Sequence, residues 1–228
     1  MKPIYKPKGA AKEYGDYALN IYTGCPHRCF YCFAPRVLHR DKETFHSVVE
    51  PRNNIVEETR KQIEREGITD KLIHLCFTCD PYPIGFDTTP TREIIKILKG
   101  SGNHVQFLTK GDGSRDFDLL DCNDWYGVTL DGSENEDTKF KHLQNLYNAS
   151  QKGIKTWVSF EPVLNDAKIL AYLLGYSAYF DKVKIGKLNY YPSDINWKIF
   201  GERAEKICKQ LNLDYYIKES VRKAMNSA

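Results

Sequence analysis

The chain has 228 residues, 41% of them hydrophobic and 28% charged, and a formal net charge of +3 at pH 7. This is ordinary globular usage, enough for one sizeable core, and it excludes a disordered chain. No apolar run approaches the roughly 20 residues that span a bilayer, the segment MKPIYKPKGAAKEYG has no apolar signal core, and so small a charge does not by itself name a polyanionic partner. A single domain over residues 1–228, with its core at about 14–217, is expected. It is read as a cytoplasmic monomer with no membrane attachment.

Short β-rich runs alternate with amphipathic stretches along the chain. YALNIY (Tyr17 to Tyr22) reads as the first strand, and the helical spacing of Ile55, Val56, Thr59 and Ile63 predicts a helix that stops near Gly67. KLIHLCF predicts a buried strand ending at Phe77, and TREIIKILKG a helix closed by Gly100. HVQFLT, a short helix through Leu119 and Leu120, and WYGVTL follow. Phe140, Leu143 and Tyr147 mark a helix, IKTWVSF a strand, and Asn165 caps a helix carrying Ile169, Leu170 and Leu173. YFDKVKI is the sixth strand, followed by a helix with Ile199, Phe200, Ala204, Ile207 and Leu211, then LDYYI and a terminal helix. Such alternation belongs to an α/β fold with a parallel sheet. Six βα repeats are too few for a closed eight-stranded barrel and suit an open, partial (β/α)6 TIM-like barrel. In such folds ligands bind beyond the C-terminal ends of the strands, so the residues just after each strand carry the functional information.

After the first strand comes GCPHRCFYC, with Cys25, Cys29 and Cys32 at spacings of four and three. Seven cysteines in a chain without an export signal favour metal or redox use over a disulfide framework. Four thiolates would close a zinc or iron-sulfur site, whereas three leave a coordination position open for a ligand. A competing reading completes a zinc knot with His27 or His39. Phe30 and Phe33 suit a lid that keeps water from such a centre.

The motif CxxxCxxC resembles that of the radical S-adenosylmethionine (SAM) superfamily. EYGDYALNIYTGCPHRCFYCFAP, FTCDPYP with TPTREIIKIL, FLTKG with RDFDLL, and EPVLND resemble, in that order, the spore photoproduct lyase-like family of that superfamily, over roughly Tyr14 to Asp166. The resemblance implies a partial barrel of the radical SAM type and a 4Fe-4S cluster on Cys25, Cys29 and Cys32. It further implies reductive cleavage of SAM to a 5'-deoxyadenosyl radical that abstracts hydrogen, in a lyase-like or transferase reaction. Asp80 would contact the SAM amino group or ribose, and Lys110 the SAM carboxylate. Read from the residues alone, these two are equally an Asp-Pro turn residue and a solvated loop lysine. The implied partners are SAM, an external electron donor such as flavodoxin or ferredoxin, and nucleic acid or a nucleotide as substrate.

The chain departs from the family at the second strand. Where spore photoproduct lyase has a hydrogen-donating cysteine before Thr-Ser-Asp, this chain has Phe77, then Thr78, Cys79 and Asp80. Tyr31 matches a family tyrosine, while Phe33 replaces a second one. Cys79 is the candidate hydrogen donor or radical relay and Tyr31 its companion. Cys76 reads as a small buried hydrophobe, its thiol on the opposite face from that of Cys79 if the strand continues. Ser159 and Glu161, ending the fifth strand, are candidates for SAM or substrate contact, and Lys187, Asn189, Tyr190 and Tyr191 for stacking on a ring. Cys122 and Cys208 read as packing residues. Two readings compete with radical chemistry on a nucleotide: a metal-binding nucleic-acid module without catalysis, and a radical SAM enzyme acting on a peptide or small metabolite.

Overall fold

Asn20 decides where the first buried strands end. Its Oδ1 accepts the backbone N–H groups of Phe77 and Thr78 at 2.7 and 2.9 Å. These donors therefore leave the sheet ladder, and the strand expected to reach Phe77 stops at Leu75, where Cys76 turns to a left-handed φ of 71°. The computed structural model describes residues 2–226. They fall into two compact units, one up to Trp125 and the other from Tyr126.

In the first unit, β1 (Ile4–Tyr5) runs antiparallel to β2 (Tyr17–Leu19). Between β2 and β3 lie three helices, α1 (Ala34–Val37), α2 (Lys42–Ser47) and α3 (Ile55–Glu66). β2 pairs in parallel with β3 (Leu72–Leu75), and β3 with β4 (His104–Thr109), so Leu19, Leu75 and Phe107 lie side by side. The helix α4 (Thr89–Gly100) connects β3 to β4. Helix α2 starts where Asp41 accepts the Thr44 N–H at 2.8 Å, and α3 ends at Gly67 with φ 60°, a left-handed cap that glycine adopts without strain. Ile55, Thr59, Gln62 and Ile63 form the buried stripe of α3, and Gln62 closes β1 by bonding both the N–H and the C=O of Ile4 at 2.9 Å. The antiparallel β1 was not expected from the sequence, because two residues are too few for an alternating pattern.

The second unit holds β5 (Trp125–Thr129, opening at the boundary), α5 (Glu136–Gln151), β6 (Lys155–Val163), α6 (Asp166–Tyr176), β7 (Lys182–Lys187), α7 (Trp197–Gln210), β8 (Asp214–Ile217) and α8 (Glu219–Met225). β6, β7 and β8 are parallel neighbours, with Phe160 beside Ile185 and Ile185 beside Ile217. Asn165 caps α6 as its sequence predicts, accepting the Lys168 N–H at 3.0 Å. In α5 the buried stripe is Leu143, Leu146 and Ala149, whereas Phe140 and Tyr147 are exposed. Ile199 is likewise exposed on α7. Gly127 is required by close approach, since a Cβ there would lie 2.2 Å from the indole nitrogen of Trp157. Strand-then-helix order and parallel pairing in both units make this an α/β fold. Among the described residues no helix is long and apolar enough to cross a membrane.

Candidate functional site

The three cysteines occupy the loop that leaves β2, and α2 holds that loop in place. The Cys25 N–H donates to the Phe45 carbonyl at 3.1 Å, and the Nδ1–H of His46 donates to the Cys25 carbonyl at 2.7 Å. His46 is buried, and its Nε2 has no hydrogen-bond partner. Arg28, at φ 50°, forms a two-bond pair with Glu43 at 2.7 and 2.5 Å. Gly24 is obligatory here, because a Cβ would lie 2.4 Å from the carbonyl oxygens of both Phe45 and Val48. The turn closes where the Cys32 N–H meets the Cys29 carbonyl at 3.0 Å.

All three thiols are free and partly exposed. Burial, together with the charges of Asp80, Cys79 and Cys29, raises the Cys25 thiol well above its ordinary range, and burial and Cys29 raise that of Cys32. Thiolates so placed repel one another and need a soft multivalent cation to form together. A mononuclear zinc with Zn–S bonds near 2.3 Å would draw its sulfurs to about 3.8 Å apart. Among the described residues the only set of three ligand atoms mutually within 4.8 Å is that of His104, Asp121 and Asp124. The three cysteines are not part of that set. His27 cannot offer Nε2 to a zinc knot without leaving Asp80, and His39 is exposed.

Asp80 lies in the loop after β3, only 6% exposed, and its carboxylate is saturated. Oδ1 accepts the Thr109 hydroxyl at 2.5 Å and the Tyr82 N–H at 2.8 Å, and Oδ2 accepts the Lys110 N–H at 2.8 Å and the Nε2–H of His27 at 2.9 Å. Burial alone would raise its pKa, but the bonds from His27, Thr109 and Lys110 hold it below the usual carboxylate value. An ionised Asp80 only accepts, so Nε2 of His27 carries the proton. The carboxylate expected to meet SAM also fixes His27, between two of the cysteines. Gly111 lets the loops after β3 and β4 cross, since a Cβ there would lie 2.0 Å from the Tyr82 carbonyl oxygen. Tyr82 is braced from below by its O–H bond to buried Asp116 at 3.0 Å, and Arg92 clasps Asp116 at 2.8 Å.

Lys110 and Tyr31 are brought together, with the ammonium 5.5 Å from the ring centroid, and Tyr31 packs edge-on against Phe30. Phe30 and Phe33 are both about half exposed, at 47%. Cys79 lies on the Asp80 loop, and its sulfur accepts the Tyr22 N–H at 3.4 Å. In the second unit Ser159 is fully buried within β6. Both oxygens of Glu161 meet the buried Lys218 ammonium at 2.8 and 3.0 Å, close over Gly186. Tyr190 and Tyr191 are exposed, while Lys187 lies 5.6 Å from the Trp197 ring. Cys208 is buried, its thiol pushed up to about 11 by burial, as a packing residue should be; Cys122 is exposed instead.

No local pattern marks the parts played by His46, Asn20 and Thr109, whose contacts run to backbone or to residues far away in the chain. His27 was visible only as a competing ligand.

No family model matches this sequence, and no curated protein matches it. Solved structures do. A substituted spore photoproduct lyase with bound AdoMet and dinucleoside spore photoproduct aligns with a TM-score of 0.62 at 14% identity, covering 91% of this chain and 65% of that one. A tyrosine-to-phenylalanine variant of spore photoproduct lyase aligns at 0.68 and 12% identity, covering 93% and 78%. The complex with dinucleoside spore photoproduct aligns at 0.63 and 13%, covering 93% and 78%. This chain thus spans just under two thirds of the length of the first of these, and at such identities the likeness is one of fold. The chain has the fold of spore photoproduct lyase, the partial (β/α)6 TIM-like barrel expected from its strand and helix order.

Proposed function

We propose that this chain is a radical SAM enzyme related to spore photoproduct lyase, holding a 4Fe-4S cluster on Cys25, Cys29 and Cys32. The observation that carries this reading is a set of three partly exposed thiols on one loop, held in place at Cys25 and His27, with no fourth cysteine on that loop. The fold likeness, which runs over nine tenths of the chain, supports reading residues 1–228 as one radical SAM domain. When bound, the cluster supplies the electron that cleaves SAM to methionine and a 5'-deoxyadenosyl radical, which takes a hydrogen atom from substrate.

The chain's own residues position and shield. Asp80 fixes His27 and with it the arc between Cys25 and Cys29. Lys110, beside Tyr31, offers its ammonium to the SAM carboxylate, and Phe30 and Phe33 keep water from the thiolates. Cys79 and Tyr31 are the hydrogen-transfer candidates. Ser159 is the β6 candidate for SAM contact, and Glu161 would have to share its carboxylate with Lys218. A nucleic acid or nucleotide substrate suits the exposed Tyr190 and Tyr191, which offer ring faces for stacking. The electron would come from an external carrier such as flavodoxin or ferredoxin, in the cytoplasm.

The test is anaerobic reconstitution with iron and sulfide, reduction with dithionite, and chromatography for 5'-deoxyadenosine from added SAM. Four irons per chain and product formation are expected. Folded protein with neither would leave a metal-binding module without catalysis.

A further inference from the structure

The turn Cys76-Phe77-Thr78-Cys79 folds back on itself, because Asn20 gathers both of its central N–H groups and Cys76 adopts φ 71°. The strand having ended at Leu75, the face alternation that would separate the two thiols no longer applies, and the turn brings both toward the backbone of Ile21 and Tyr22, where each thiol feels the other electrostatically. The Cys79 sulfur also accepts the Tyr22 N–H at 3.4 Å. Arg52 lies alongside, its Nη2 3.5 Å from the Thr78 hydroxyl and its buried Nε without a partner. Asn20 and Arg52 also line, with Tyr5 and Lys2, a small cavity of about 70 Å³. Lys2 there is paired with Glu66 at 3.1 Å, so the cation that suits an anionic visitor is Arg52 with its unpartnered Nε.

We propose that Cys76 and Cys79 form a redox-active dithiol whose substrate is a small anionic disulfide of the glutathione type. The Cys79 thiolate attacks one sulfur of that disulfide, forming a mixed disulfide and expelling one thiolate. Cys76, giving its proton to the expelled thiolate, then attacks the Cys79 sulfur and expels the second thiolate. Two protein thiols are oxidised by two electrons, and one small disulfide is reduced to two thiols. The order of attack follows from the surroundings. Burial pushes both thiols up, and Cys76 stays well above its ordinary value, but for Cys79 the Cys76 thiol, the bond from Tyr22 and the charge of Arg52 win, leaving it below.

The experiment incubates the anaerobically reconstituted chain with glutathione disulfide, alkylates the remaining thiols and maps peptides by mass spectrometry. Expected is an unalkylated Cys76–Cys79 peptide short of two hydrogens, restored by dithiothreitol. Cys76→Ser should stop at a stable glutathione adduct on Cys79, and Cys79→Ser should form neither product. Full alkylation of both residues in the wild type, while exposed Cys122 takes up glutathione, would overturn the proposal, as would an adduct on Cys76 in Cys79→Ser. The readout is on thiols, so it is independent of whether SAM is cleaved.

Discussion

His27 Nε2 lies 2.9 Å from Asp80 Oδ2, and this one bond ties the cysteine loop to the loop after β3 across 53 residues of sequence. Both side chains are nearly buried, at 9% and 7% exposure, so water cannot replace either partner. Asp80→Asn keeps the shape but turns an amide donor toward existing donors. Iron affinity should fall about 10- to 100-fold, the range typical of lost ligand-supporting contacts. Iron and sulfide analysis after reconstitution at limiting iron reads this directly. Unchanged loading would return Asp80 to the role expected from sequence, contact with SAM itself.

Lys110→Ala should separate cleanly from that variant. Removing a charge-assisted partner of a carboxylate should weaken SAM binding by about tenfold or more, with iron content unchanged. Calorimetric titration of SAM into the loaded protein gives the comparison, and equal affinities would exclude the side chain from the SAM site.

Cys29→Ala leaves two thiolates, which cannot hold the cluster. The variant should carry none and form no 5'-deoxyadenosine. Wild-type cleavage would mean that the ligands lie elsewhere.

Gly111→Ala should destabilise the first unit by about 1–3 kcal/mol, the usual cost of overpacking, because the new methyl meets the Tyr82 carbonyl oxygen at 2.0 Å. Urea unfolding measures it. A midpoint equal to the wild type would show that the crossing loops yield at little cost.

In the second unit, Glu205 accepts from Arg222 at 2.8 Å and from the Tyr215 hydroxyl at 3.1 Å, and Lys209 lies 3.2 Å away. The Arg222 bond comes first among the causes that lower its pKa to about 2, against about 4.3 in an unfolded chain. A lowered carboxylate pKa stabilises the fold above the unfolded value, and the contribution is lost as pH falls from about 4 toward 2. Partial exposure limits it to about 1 kcal/mol. Glu205→Gln should lower the thermal midpoint at pH 7 and converge on the wild type near pH 2.

What could be read from sequence followed a clear physical divide. Cys25, Cys29 and Cys32 are visible because candidate ligands on one short loop are neighbours in the chain, and Asn165 because a helix cap acts three residues away. The true end of β3 was hidden, since it depends on Asn20, 57 residues from Phe77. The same contact makes neighbours of Cys76 and Cys79, which strand alternation would have parted. Phe140 and Tyr147 misled for another reason: aromatic residues at helical spacing mark an amphipathic face without fixing which edge of it meets the core. Asp80 was found by motif, but its partners His27 and Thr109 come from a loop and a strand that only the fold unites.

The groups that pin the cysteine loop, Glu43, Phe45, His46 and Asp80, lie in the first unit, while Ser159, Glu161 and the exposed Tyr190 and Tyr191 lie in the second. Under the proposed function, cluster loading and stacking on a substrate ring would rest on separate halves of the gene. On that reading, changes in the second half would alter what is bound there without disturbing the anchors of the cysteine loop, which gives such a scaffold room to diversify.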